Sequence, residues 1–105
     1  MTATHLKTQD FDKKISEGIT LVDFWATWCP PCRIQGPILD KLADSIGSKA
    51  LISKVDVDQE QELAQRFMIR SIPTLILFKD GKQIETMVGV QSQEVLTEKI
   101  NQLSK

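Results

Sequence analysis

Residues 19–32 read ITLVDFWATWCPPC, and this stretch decides the fold of the chain. Its first part, Ile19 to Ala26, is almost continuously apolar, which is typical of a central strand covered on both faces. Its second part holds Cys29 and Cys32, which are separated by two residues. Beyond Cys32 the apolar residues recur at helical spacing, so the cysteine pair is expected where a strand ends and a helix begins.

The remaining elements follow from apolar periodicity on either side of this junction. In the helix after Cys32, Pro37 should cause a kink and Gly47 should act as the C-terminal cap. The apolar face of that helix is predicted to comprise Ile34, Ile38, Leu42 and Ile46, flanked by Leu39 and Ala43. The other predicted elements are a weak strand near Leu6, a helix of about ten residues around Phe11 and Ile15 with Asp10 as its cap and Gly18 as its stop, the strand Ala50–Val57, the helix Glu60–Phe67, the strand Thr74–Phe78, the strand Ile84–Val88 after an Asp80-Gly81 turn, and a terminal helix containing Val95, Leu96, Ile100 and Leu103.

The order of these elements predicts an α/β fold. Strands and helices alternate through the first part of the chain, and a hairpin comes near the end. This order favours a mixed sheet with helices on both faces. A chain of 105 residues is the size of one domain, so we expect residues 1–105 to fold as a single unit.

Composition excludes several classes of partner. The 13 basic and 14 acidic side chains give a net charge of −1, which provides no positive surface for nucleic acid or an anionic membrane. The N-terminal residues lack the basic and apolar segments of a signal peptide, and no apolar run of about 20 residues occurs. We therefore expect a soluble, cytoplasmic protein.

The two cysteines are the candidates for chemistry. A helix N-terminus favours negative charge and should stabilise a thiolate on Cys29, which makes it the candidate nucleophile. Cys32, one turn further on, could then attack a mixed disulfide formed on Cys29. A zinc site would need about four ligands, while the chain offers two cysteines and a distant His5. A structural disulfide is the other alternative, although so short a loop would give little stability.

The sequence resembles the thioredoxin family over essentially the whole chain. The matching segments are Asp23–Cys32, Pro37–Asp40, Val55–Asp58, Ile72–Thr74 and Val88–Val90. The resemblance implies a central mixed five-stranded sheet flanked by four helices. It also implies reduction of protein disulfides by a redox-active Cys29–Cys32 pair, with no metal and no bound cofactor. The implied partners are disulfide-containing proteins and an NADPH-dependent thioredoxin reductase, and the implied state is a monomer.

The residues between the cysteines depart from the usual family pattern. Thioredoxins usually have Gly-Pro where this chain has Pro30-Pro31. Proline is well tolerated in a first helical turn, but the residue before a proline is disfavoured in helical conformation. Pro30 also removes one backbone N–H that could have stabilised a thiolate.

The resemblance assigns supporting catalytic roles to Asp23 and Lys54. Asp23 lies mid-strand between apolar residues, where a charge is unusual. The resemblance implies a buried carboxyl group behind Cys32 that exchanges protons with it, with Lys54 as its neighbour. The alternatives are an exposed edge carboxylate for Asp23 and a simple surface lysine for Lys54.

The resemblance also implies a substrate-binding surface around the dithiol. Its predicted members are Trp28, Pro30, Pro31, Ile72, Pro73, Gly89 and Val90. Pro73 would be cis and would leave the backbone of Ile72 free to pair with an extended substrate. The alternatives are a core role for Trp28, an ordinary trans proline at Pro73 and a strand end at Gly89. Trp25 is assigned to packing, whereas His5 and the charged run 12–14 are assigned to solvated surface.

Two other functions are compatible with the same sequence. One is a reductase or oxidant dedicated to a single pathway, with its redox potential altered by Pro30. The other is a redox-independent binding subunit that uses the surface around Trp28.

Overall fold

The sheet is built around the strand Ile19–Trp25, which we label β2. The computed structural model describes residues 2–105, and these residues form five strands and four α-helices. The other elements are β1 (Thr4–His5), α1 (Phe11–Ile15), α2 (Pro30–Ile46), β3 (Ala50–Asp56), α3 (Gln61–Arg66), β4 (Thr74–Lys79), β5 (Lys82–Val88) and α4 (Gln93–Leu103), with a short 3₁₀ turn at Gly47–Lys49.

The sheet is mixed, with strand order β1-β3-β2-β4-β5. Strand β2 pairs in parallel with β3 and antiparallel with β4, and β5 completes the antiparallel part. The predicted mixed five-stranded sheet with four flanking helices is confirmed.

Strand β2 lies in the centre of the sheet, between β3 and β4, and both of its faces are covered. Leu21 belongs to an apolar cluster with Leu39 and Leu42 of α2 and with two residues of α4. Its neighbour Val22 belongs to a second cluster, which contains residues of α1 and α3. Since successive side chains of a strand point to opposite faces, α2 and α4 cover one face of the sheet and α1 and α3 cover the other.

Helix α2 begins earlier than predicted. Its first residues are Pro30 and Pro31, and Cys29 is the N-cap residue. Proline fits this position because the first backbone N–H groups of a helix have no partner within the helix. At the other end Gly47 has a φ of 58°, and its N–H bonds to the carbonyl oxygen of Ala43, which confirms it as the cap.

The predicted apolar face of α2 was wrong at its first turn. Ile34 is 61% exposed, while the neighbouring Gln35 is fully buried. Cys32, Leu39, Leu42, Ala43 and Ile46 form the rest of the buried face. Pro37 lies inside the helix, as predicted, and the kink expected there stays a prediction.

Smaller differences concern the ends of elements. Helix α1 has five residues instead of about ten, and the Asp10 carboxylate accepts the backbone N–H of Lys7 instead of capping α1. Strands β2 and β3 each end one residue earlier than predicted, and β4 runs one residue further. The predicted hairpin turn is confirmed, since Asp80 and Gly81 have φ values of 50° and 82°. Within residues 2–105, no helix combines the length and apolar character needed to cross a membrane.

Candidate active site

The cysteine pair lies at the N-terminus of α2, where β2 has just ended. Cys29 and Cys32 form a disulfide, and the backbone N–H of Cys32 donates to Sγ of Cys29 at 3.3 Å. Both cysteines are buried in a small cluster with Ala26, to which the backbone N–H of Cys29 also bonds. A thiolate on Cys29 would therefore receive a backbone N–H at the positive end of a 17-residue helix.

The Ile72–Pro73 segment lies against this disulfide. Sγ of Cys29 is 3.7 Å from the carbonyl oxygen of Ile72, and the Ile72–Pro73 peptide bond is cis, as the resemblance implied. Gly89 is tied to the same segment, since its N–H donates to the carbonyl oxygen of Pro73 at 2.8 Å. The structure thus brings together Cys29, Ile72, Pro73 and Gly89 from distant parts of the sequence. Val90 follows Gly89 directly and is exposed.

Trp28 is a surface residue rather than a core aromatic. Its side chain is 63% exposed, and its indole N–H donates to the Asp58 carboxylate at 2.8 Å. This hydrogen bond fixes the ring beside the dithiol. Asp58 was not among the predicted site residues, although it ends the matching segment Val55–Asp58. Trp25 packs against the cysteine cluster, in agreement with its assignment to packing.

Asp23 is fully buried in the middle of β2. Neither of its carboxylate oxygens has a hydrogen-bond partner among residues 2–105. Loss of hydration raises the pKa of Asp23 to about 7, against the opposing effect of the Lys54 charge. Asp23 is therefore not an exposed edge carboxylate. It shares its sheet face with Leu21, which is the face covered by α2 and thus by the helix that carries Cys32.

Lys54 lies directly opposite Asp23 in the register between β2 and β3. Its Nζ is 4.2 Å from the centre of the Trp25 ring and 3.8 Å from the position that a Cβ on Gly36 would occupy. The amine is thus held between the sheet and α2, and Lys54 is not a simple surface lysine.

Gln35, which the sequence analysis did not single out, bonds α2 to the segment that follows Gly89 and Val90. Its Oε1 accepts the backbone N–H of Gln91 at 2.7 Å, and its Nε2 donates to the carbonyl oxygen of Gln91 at 3.0 Å. The signal was an amide directly after Ile34, at a position that the predicted apolar face of α2 did not include.

Comparison with known proteins decides the family. The Thioredoxin family profile matches residues 2–102. A thioredoxin from Staphylococcus epidermidis is 47% identical over 98 residues, which cover 93% of this chain and 94% of the relative. The chain belongs to the thioredoxin family. A thioredoxin from Staphylococcus aureus is 46% identical over the same shares of the two chains.

Solved structures of the thioredoxin family show the same fold. A mutant thioredoxin from Halobacterium salinarum has a TM-score of 0.90 and 34% identity, with coverage of 99% of this chain and 92% of that one. Thioredoxin from Malassezia sympodialis has a TM-score of 0.88 and 35% identity, with coverage of 100% and 96%.

Membership of the thioredoxin family, together with the Cys29–Cys32 disulfide, makes this chain a thiol-disulfide oxidoreductase with protein-disulfide reductase activity. Residues 2–105 contain no group of three or more His, Cys, Asp or Glu side chains that could hold a metal ion.

Proposed function

We propose that Cys29 is the nucleophile and Cys32 the resolving thiol in the reduction of protein disulfides. The observation that carries this assignment is the placement of Cys29 at the N-cap of α2, with a backbone N–H directed at its sulfur. In the dithiol form this donor and the helix dipole favour a thiolate on Cys29.

The reaction has two exchanges. The Cys29 thiolate attacks one sulfur of the substrate disulfide, forming a mixed disulfide and releasing the other substrate sulfur as a thiolate. Cys32 then loses its proton and attacks Sγ of Cys29, which releases the second substrate sulfur. The substrate gains two electrons, and the protein is left with the Cys29–Cys32 disulfide.

Asp23 is the proposed acceptor of the Cys32 proton. A pKa of about 7 allows its carboxyl group both to take up and to release a proton near neutral pH. Lys54, across from it in β3, is the charge that limits the rise of this pKa. The two residues thus set the protonation state of the site from the sheet side.

The proposed substrate surface surrounds the dithiol. Its centre is the backbone of Ile72, which would pair with an extended substrate segment next to Cys29. Gly89 would let that segment approach closely, since it presents no side chain. The other proposed contacts are Trp28, Pro30, Pro31, Pro73 and Val90.

Membership of the thioredoxin family supports the partners and cellular setting that we propose. Disulfide-containing proteins are its substrates, and an NADPH-dependent thioredoxin reductase restores the dithiol by supplying two electrons through the same cysteines. We place the chain in the cytoplasm as a monomer and as one domain, residues 1–105. It works without a metal or bound cofactor and without binding nucleic acid or membrane.

The cysteine roles are tested by two single variants, Cys29→Ser and Cys32→Ser. Cys29→Ser should abolish insulin reduction. Cys32→Ser should still attack but should accumulate covalent complexes with substrate, detectable by mass spectrometry. A Cys32→Ser variant that forms no complexes, under conditions where the wild type turns over, would contradict the role assignment. A double serine variant that still protects cells against disulfide stress would favour redox-independent binding.

A further inference from the structure

Gln35 forms an unusual contact between the dithiol helix and the loop that follows β5. Its side-chain amide pairs with both polar groups of the Gln91 backbone, at 2.7 and 3.0 Å. Gln35 itself is fully buried, on the same face of α2 as Leu39 and Leu42. A leucine there would satisfy the apolar core at a lower desolvation cost, because a buried amide is tolerated only when its hydrogen bonds are made.

The contact joins two parts of the site that are distant in sequence. On one side, Gln35 lies one turn after Cys32 in α2. On the other side, Gln91 directly follows Gly89 and Val90. The side-chain amide of Gln91 turns back and donates to the carbonyl oxygen of Gly89 at 3.2 Å. A short chain of hydrogen bonds therefore runs from the helix carrying the cysteines to the loop proposed to contact substrate.

A second hydrogen bond ties the loop that contains Gly89 and Val90 to the Ile72–Pro73 segment beside Cys29. The N–H of Gly89 donates to the carbonyl oxygen of Pro73, so the loop is held at one end by the Ile72–Pro73 segment. Gln35 holds the other end from α2. Gly89 has a φ of 91°, which only glycine adopts without strain, and the loop is thus fixed at both ends around a permissive residue.

We propose that Gln35 is a positioning residue that fixes the Gly89–Val90 loop relative to Cys29 and so favours polypeptide disulfides over small ones. This rests on the proposed assignment of Gly89 and Val90 to the substrate surface. A polypeptide spans the dithiol and the loop together, and its rate depends on their relative placement. A small disulfide reaches the sulfur without touching the loop.

The test compares insulin with bis(hydroxyethyl) disulfide as substrates of the dithiol form. Gln35→Met keeps the length of the side chain and removes both hydrogen bonds. The ratio of the two second-order rate constants, insulin over small disulfide, should fall about tenfold, which corresponds to about 1.4 kcal/mol. Gln93→Met is the matched control, because the Gln93 amide also donates to α2, but at the Ser45 hydroxyl, near the end of the helix that is far from the cysteines. Its ratio should stay at the wild-type value.

A second variant gives a readout that a purely structural role would not produce. Gln35→Glu has the same length, and its protonated carboxyl group offers one donor and one acceptor to Gln91. Its ionised form offers acceptors alone. The insulin-to-small-disulfide ratio of Gln35→Glu should therefore approach that of the wild type at low pH and fall as the pH rises. The wild type measured in parallel corrects for ionisation of Cys29.

The possible results distinguish failure of the positioning role of Gln35 from failure of the proposed substrate surface on which that role rests. Val90→Ser tests the loop directly. If Val90→Ser lowers the ratio while Gln35→Met and Gln35→Glu leave it unchanged at every pH, the positioning role is wrong and the substrate surface stands. If no variant changes the ratio although wild type reduces insulin, the loop is not part of the substrate surface, and both proposals fail.

Discussion

Both faces of the sheet are covered by helices but are built from different kinds of residue. The face under α1 and α3 is aromatic, with Phe11, Phe67 and Phe78 in mutual ring contact at 5.4 to 5.8 Å between centroids. The face under α2 is aliphatic and also carries the polar side chains of Asp23 and Lys54, which lie opposite each other in β2 and β3. Strand β2 contributes to both faces, with Phe24 on the first and Asp23 on the second.

This difference separates residues that stabilise the fold from residues that are proposed to act in the reaction. Phe24 and Asp23 are neighbours in β2, and both are fully buried. Phe24 gains free energy by leaving water, whereas Asp23 loses hydration with no hydrogen bond from residues 2–105 in return. Replacement of an aromatic residue on the first face and replacement of Asp23 on the second should therefore change stability in opposite directions.

The largest effect on stability is expected on the aromatic face. Phe78→Ala removes a fully buried ring and should lower the free energy of unfolding by roughly 3–5 kcal/mol. Phe78 lies in β4, at the end away from Pro73. The rate of insulin reduction per folded molecule should thus equal that of the wild type. Urea denaturation measures the free energy of unfolding, and an insulin assay at urea concentrations below the unfolding transition measures the rate. A lower rate per folded molecule would show that the aromatic face also contributes to the chemistry.

Asp23→Asn should have the opposite effect on the other face. The folded pKa of about 7 lies above the usual value of 3.8, so the folded state binds the proton more tightly than the unfolded chain does. The stability linked to this proton is fully present below the unfolded pKa and is lost as the pH rises through about 7. A neutral amide avoids that loss and should raise the free energy of unfolding by roughly 2–4 kcal/mol at pH 8.

The same variant should slow the resolution step. Without the carboxyl group, Cys32 must lose its proton to solvent before it attacks the mixed disulfide. Denaturation and single-turnover reduction of wild type and Asp23→Asn across pH 5 to 9 would measure both effects. If stability and resolution rate are both unchanged, the proton-carrier role must be abandoned.

A smaller effect is expected for Lys54→Met, which keeps the packing between the sheet and α2 but removes the charge opposite Asp23. Because the Lys54 charge lowers the pKa of Asp23, this pKa should rise further in the variant. NMR titration of the carboxyl carbon, with Lys49→Met as an exposed control, measures the shift. An unchanged pKa would show that the two groups do not interact.

The smallest effect is expected at the rim of the aromatic face. There Arg66 lies over Phe11 and Phe67 and pairs with the exposed Asp12 at 2.9 Å. The hydrogen bond from Arg66 lowers the pKa of Asp12, so the pair stabilises at neutral pH and is lost as the pH falls through the lowered pKa. Asp12→Asn should cost about 0.2–1 kcal/mol because solvent screens the pair. A loss that persists undiminished in high salt would contradict this ionic origin.

The sequence was sufficient for the fold because its strongest signals are local. The apolar run at 19–26, the helical spacing after Cys32 and the Asp80-Gly81 turn each identify one element without reference to the rest of the chain. The placement of the dithiol at a strand–helix junction follows from the same signals.

What the sequence could not provide depends on packing between distant segments. Helical spacing assigned Ile34 to the buried face of α2, whereas Ile34 is exposed and the neighbouring Gln35 is buried. Gln35 is buried because Gln91, more than fifty residues later, satisfies both ends of its amide. The hydrogen bond from Trp28 to Asp58 and the missing side-chain cap at Asp10 likewise depend on partners that no periodic pattern reveals.

The pairing of β2 with β4 has a consequence for the order of events during synthesis. In this pair Ile19 lies opposite Lys79 and Phe24 opposite Thr74, so the two strands are separated by nearly half of the chain. When β2 and α2 have just emerged from the ribosome, the nascent chain already carries both cysteines. The Ile72–Pro73 segment, which lies against Cys29 in the folded protein, has not yet been made. The thiols are then exposed without the surface that selects their substrates. Until that segment has been made, the newly made cysteines can react with disulfides that the finished surface would not select.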